Sequence, residues 1–260
     1  MLGKELADCW LKIGRAEEHS KTVSDEICDW ENAKPYLLVK NRDAKGSRYN
    51  ITVNFTIPYR DRWSLIAGDC IHNLRSALDH LIYGVALSLA KVSPPPDYRR
   101  LQFPIADSPE EFAGQKWRIE SLGETVGANI KGVQPYNRRH PLLPPLLSII
   151  RDFDDCDKHR LLNIAISRQQ SGEAKIDCPI GHIVQTVIAN PNDIINGAEI
   201  MAFTIDPPLP DVKYQYETSL TIGFCHASGP TGVQVTSIRT LLPLLCKEVR
   251  TVVEIVGRNI

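Results

Sequence analysis

The segment from Trp63 to Tyr83 reads Trp-Ser-Leu-Ile-Ala-Gly-Asp-Cys-Ile-His-Asn-Leu-Arg-Ser-Ala-Leu-Asp-His-Leu-Ile-Tyr. Its polar members are side chains that move protons, hold phosphate oxygens or ligate metals: Asp69, His72, Asn73, Arg75, Ser76, Asp79, His80 and Tyr83. An imidazole such as His80 can carry a proton to or from a hydroxyl. A guanidinium such as Arg75 can hold phosphate oxygens while charge builds on them. A second concentration, Arg151-Asp-Phe-Asp-Asp-Cys-Asp-Lys-His-Arg160, offers Asp154, Asp157 and His159. With Asp69, His72 or His80 these carboxylates could hold a hard cation and serve a metal-dependent hydrolase. No H-E-x-x-H or comparable ligand spacing is present, however. The same stretch also reads as a solvated acidic helix end, with Lys158, His159 and Arg160 answering the C-terminal dipole.

The first cluster must ride on a helix. At about 100° per residue, Ala67, Cys70, Ile71, Leu74, Ala77, Leu78, Leu81, Ile82 and Val85 fall on one broad apolar side. Asp69, Asn73, Ser76, His80 and Tyr83 fall opposite, with His72 and Asp79 at the border. Solvated helix faces are usually rich in Lys and Glu, which are strong helix formers. This face has neither until Lys91, so His72, Asn73, Ser76 and His80 are expected to line a shared polar cleft. Arg75 and Asp79 stand at i,i+4 and read as an ordinary exposed ion pair on the helix surface.

The rest of the chain supplies the frame. A first helix is expected over 4–30, from Leu6, Trp10, Ile13, Ala16, Val23, Ile27 and Trp30. A β-hairpin is expected at 36–57, turning at Asp43-Ala-Lys-Gly46. The long helix covers 62–92 and is stopped by Ser93-Pro-Pro-Pro96. Ser108-Pro-Glu-Glu is a helix start, leading to a short helix that ends near Glu120. Glycines 123, 127 and 132 read as a loop-rich connection, before a helix at about 142–157. From 161 to 235 short β-rich runs alternate with Gly, Pro and Asn breakers, the pattern of an antiparallel sheet. A C-terminal helix over 237–257 carries Leu241, Leu245, Val249, Val252, Val253 and Val256 on one side and returns to the bundle. The expected fold is therefore α+β: a helical bundle with an antiparallel sheet region, forming one domain over 1–260 that is mostly helical through residue 160.

Composition narrows the partners. A formal net charge of −1 gives no bulk field toward nucleic acid or membrane, though a local basic patch remains open. No run approaches the roughly 20 apolar residues that span a bilayer, and the N-terminus lacks the apolar segment of a signal peptide. The cysteines, 7 in number, are scattered without a C-x-x-C pair, which suits a reduced, cytoplasmic protein. No P-loop and no dinucleotide fingerprint is present, and no cofactor is indicated.

Arg75-Ser-Ala-Leu-Asp-His80 is an R-x4-H arrangement and resembles the signature of HEPN-type helical-bundle proteins of prokaryotic toxin–antitoxin and phage-defence systems. The wider phrase runs from Arg62-Trp63 through Gly68–His80 to Phe103-Pro-Ile105 and Asp157-Lys-His-Arg160. It resembles a bacterial family of uncharacterised activity over most of the chain. The HEPN resemblance implies metal-independent RNA cleavage by a homodimer with an antitoxin-like partner. In that reading His80 is the acid/base, Arg75 the phosphate clamp, and the 62–92 helix lies at the dimer interface. Ser76 stands where active members often carry Asn, Asp or His. The alternative is a non-catalytic protein that binds a ligand or partner on the polar face of helix 62–92.

Overall fold

Helix α2 (Arg62–Ala90) buries the side that its periodicity marks as apolar. Ala67, Cys70, Ile71, Leu74, Ala77, Leu78, Leu81, Ile82 and Val85 are all 0 % exposed. The computed structural model describes residues 4–58, 61–138, 143–168, 173–178, 182–187, 194–209, 212–227 and 233–259. The other helices are α1 (Ala7–Asn32), α3 (Pro109–Gln115), α4 (Gly123–Gly132), α5 (Leu146–Asp157) and α6 (Ile238–Val256). The strands all lie in two stretches, 36–55 and 164–237. The architecture is α+β with antiparallel pairing throughout the described strands.

The chain forms two compact units by passing repeatedly from one to the other. A helical unit takes Met1–Ser24, Arg62–Leu162 and Arg239–Ile260, so α6 joins the earlier helices. A β unit takes Asp25–Asp61 and Asn163–Ile238. In the helical unit, Leu6, Ile13 and Ala16 of the N-terminal segment are buried, as are Leu241, Leu245, Val249, Val252 and Val253 of α6. Ser108 caps α3: its backbone is extended and its hydroxyl accepts from the Glu111 N–H, while Pro109 fills the first turn.

One expectation for this unit is corrected. The stretch 123–132 is helix α4, not a loop. Val126 and Ile130, one turn apart, are buried and fix it against the core. Its glycines sit at its ends and on its open side. Gly123 has φ +79°, a conformation that breaks the chain from the preceding 3-10 turn (Glu120–Leu122).

In the β unit, β1 (Tyr36–Arg42) and β2 (Arg48–Phe55) form the expected hairpin. Asp43 shapes its turn by accepting the Ser47 and Arg48 N–H groups at 2.8 and 2.9 Å, and Gly46 takes φ +69°. The remaining strands are β3 (Ile164–Arg168), β4 (Glu173–Asp177), β5 (Ile183–Val187), β6 (Glu199–Ile205), β7 (Lys213–Glu217), β8 (Leu220–Ala227) and β9 (Val233–Ser237). They form three sheets where one was expected: β1-β2-β6-β5, β3-β8-β9 and β4-β7. The division falls inside the run Lys213–Cys225. It breaks at 218–219, so β7 pairs with β4 while β8 pairs with β3 and β9. Tyr49 and Phe203 stack at 5.0 Å, and Tyr214 meets them edge-on at 5.6 and 5.1 Å.

Two glycines of the helical unit should respond oppositely to a methyl group. A Cβ on Gly84 of α2 would overlap the Glu5 carbonyl oxygen, which is backbone and cannot swing aside. Gly84→Ala should cost about 1–3 kcal/mol. A Cβ on Gly127 of α4 meets nothing within 4 Å, so Gly127→Ala should stabilise by about 0.5–1 kcal/mol. Urea melts of the two variants should move in opposite directions from the parent.

Candidate functional site

Between α2 and α3 the strap Leu101–Ala106 is neither helix nor strand, so its backbone polar groups must find side chains. The Phe103 N–H donates to Asp79 Oδ1 at 2.9 Å, and the Phe103 carbonyl accepts from Arg75 Nη2 at 2.9 Å. Arg75 Nη2 also donates to Asp79 Oδ1 at 3.1 Å, closing a three-way clamp. On the far side Gln134, 0 % exposed, donates to the Pro104 carbonyl and accepts the Ala106 N–H. Gln115 Nε2 donates to the Ile105 carbonyl at 3.1 Å.

Arg75 is thus not the exposed residue expected. It is 8 % exposed, and its pairing with the half-buried Asp79 lies at the edge of the interior. Burial pushes the Asp79 carboxyl up, while Arg75 and the Phe103 N–H pull it down; the net shift is upward.

The expected shared cleft of His72, Asn73, Ser76 and His80 is also corrected, because different neighbours claim the face of α2. Asn73 turns to α1, where Lys12 Nζ lies 3.5 Å from its Oδ1, and its amide donates to the Asp69 carbonyl at 2.7 Å. His72 turns to α5, its Nδ1 3.2 Å from Asp154 Oδ1, with 61 % of its side chain exposed. Ser76, His80 and Tyr83 are half-buried, and Asp69 is exposed.

The second acidic cluster does meet the first. Asp154 is 3 % exposed and takes His72 on one oxygen and Lys158 Nζ, at 2.8 Å, on the other. Asp157 lies directly against Gly68 of α2, where any side chain would overlap its carboxylate. Burial raises the Asp157 pKa, and Asp69 and Asp154 add to the rise against His72. His159 is exposed and apart from this seam. Among the described residues no three of His, Cys, Asp and Glu converge as a metal's ligands.

What the structure does assemble is a cleft of about 310 Å³, lined by Arg75, Gln102, Ile105, Gln115, Arg118, Arg151, Asp154, Asp155 and Lys158. Of α2, only Arg75 reaches it. Most of its cations are already committed. Arg151 bonds Asp107 and Asp152 and faces Glu111, and Lys158 bonds Asp154 and Asp155. Arg118 differs. Its Nη1 donates to Gln115 Oε1 at 3.1 Å, it lies over the Trp117 ring at 5.4 Å, and its Nε is buried without a partner. Among the described residues no carboxylate pairs with it. Sequence reasoning passed over Arg118 and Gln102; the only local signal was a Trp-Arg pair at the end of a short helix.

Comparison of the chain with protein-family models, with curated proteins and with solved structures finds no match.

Two predictions test this geometry. Removing one partner of a buried ion pair costs about 3–5 kcal/mol; Asp79 keeps 32 % side-chain exposure, so Arg75→Ala should cost about 2–4 kcal/mol. Arg75→Lys should rescue little of that loss in a denaturant melt, because one ammonium does not reproduce the guanidinium fork. Asp157 behaves differently. Its folded pKa is raised, so its stability contribution is fully present below the ordinary carboxylate value of about 4 and falls as pH rises through the raised value. Asp157→Asn should therefore raise the melting temperature at pH 7, and the gain should vanish as the pH falls toward 4.

Proposed function

We propose that the helical unit is a binding module for a small anion, held in the cleft between the strap, α3 and α5. The observation that supports this reading best is Arg118: a cation with a buried, unpartnered Nε, lining a concave site beside Arg75, Arg151 and Lys158. A buried donor left unmet costs about 1–3 kcal/mol. A turn of the side chain that brought Nε to a carboxylate or phosphate oxygen in the cleft would relieve that cost with a charge-assisted hydrogen bond. Gln102 adds an uncharged donor and acceptor at the same wall. The volume is at the low end of small-molecule sites, so the ligand is compact.

The HEPN-like ribonuclease remains a second reading, favoured by one observation: His80 is half-buried on α2 and makes no hydrogen bond among the described residues. It requires Arg75 to leave the strap or to act through a homodimer in which α2 helices meet, with an RNA substrate and a toxin-type partner. Arg75 in its present place has its Nη2 on the Phe103 carbonyl and Asp79.

Calorimetric titration with inorganic phosphate, citrate and a neutral polyol separates the two. The anion-binding reading expects at least one anion to bind and Arg118→Gln to weaken it about tenfold or more, with the polyol silent and the fold intact. Cleavage of single-stranded RNA in EDTA that His80→Ala abolishes would establish the ribonuclease instead. No heat from either anion and no dependence on Arg118 would end the binding reading.

A further inference from the structure

The β unit holds a second, larger cleft, about 990 Å³, which none of the chemistry above uses. Its walls come from β1, β4, β7 and the residue before β7. Two properties coincide there. Ala174, Ile176 and Tyr214 give it apolar surface, and Ala174 and Ile176 are only half-buried, so that surface is partly uncovered. Lys40, Lys175 and Lys213 line the same space against a single acid, Asp177. Among the described residues none of these lysines has a carboxylate partner.

Lys40 is held rather than free to wander. Its ammonium donates to the Tyr214 carbonyl and sits 4.8 Å from the centroid of the Tyr214 ring. Tyr214 is itself 9 % exposed, fixed edge-on against Tyr49 and Phe203. An ammonium carries three N–H donors, and the carbonyl takes one. Two remain for a ligand at the border of an apolar surface.

We infer that this cleft binds an amphiphilic carboxylate, an apolar body whose carboxylate pairs with Lys40, while Lys175 and Lys213, on the alternate face of the β4–β7 ladder, add only longer-range attraction. A simple inorganic anion would leave the half-buried Ala174 and Ile176 uncovered. A neutral apolar molecule would offer nothing to the two remaining N–H groups of Lys40. The cleft is open to solvent along one side, and its volume lies within the range of small-molecule sites.

The test is calorimetric titration of the full chain with decanoate, decylammonium and acetate at matched concentrations. Decanoate is expected to bind one per chain, with decylammonium and acetate silent. Lys40→Met with Lys213→Met keeps much of each aliphatic stem and should weaken decanoate about tenfold or more. Ile176→Asp should abolish binding. Raising ionic strength should weaken decanoate binding by the parent protein, which needs no variant to fold. Equal affinity for decylammonium, binding of acetate alone, or an affinity indifferent to both salt and the paired lysine substitutions would each overturn the inference.

Discussion

An extended strap inside a helical unit is a hydrogen-bonding problem. The backbone of Phe103–Ala106 has no ladder and no helix to satisfy it, and each orphaned group would cost about 1–3 kcal/mol. Asp79, Arg75, Gln115 and Gln134 answer it group by group. The character of α2 follows from this. Asp79 and Arg75 are one turn apart because a single backbone position needs both an acceptor and a donor. Arg75 is interior because the carbonyl it serves is interior. The cleft inherits its shape from the same arrangement, since Arg75 and Gln115 bond the strap and also line the cavity.

How much of this could be read from residues alone depends on the range of the interaction. The apolar side of α2, the hairpin turn at Asp43 and the cap at Ser108 are local, and each was legible from spacing. Helix α4 was misread because glycine punctuates sequence more loudly than two buried aliphatic residues four apart. The long run near Lys213 was read as one strand because nothing in its composition says that its two halves pair with different partners. The strap bonds join positions separated by 24 and 28 residues, where the same Arg and Asp have an equally good local explanation as a helix ion pair. Arg118 was the hardest to see, for what distinguishes it is an Nε without a hydrogen-bond partner among the described residues.

The two reactive clusters of the sequence meet along the seam between α2 and α5, though not as a catalytic constellation. Gly68 lets Asp157 approach, and His72 and Lys158 share the buried Asp154. That seam spends its charges on itself. The neighbouring cleft is lined by Arg118 and Gln102, which take no part in that seam. The polar face that appeared specialised for one task is divided between α1, α5 and the strap, and this division accounts for its poverty in lysine and glutamate.

The clamp on Phe103 also bears on how such a chain can drift. Main-chain atoms, not side chains, are what Asp79 and Arg75 grip, so the clamp itself does not dictate which residue occupies position 103. The burden of invariance moves to the gripping residues. Arg75 and Asp79 answer the N–H and the carbonyl of one residue together, and neither can be exchanged without stranding the other. The strap is held to its own sequence by a different constraint, since Phe103, Ile105 and Ala106 are buried side chains, so substitutions there should be limited to residues of similar volume.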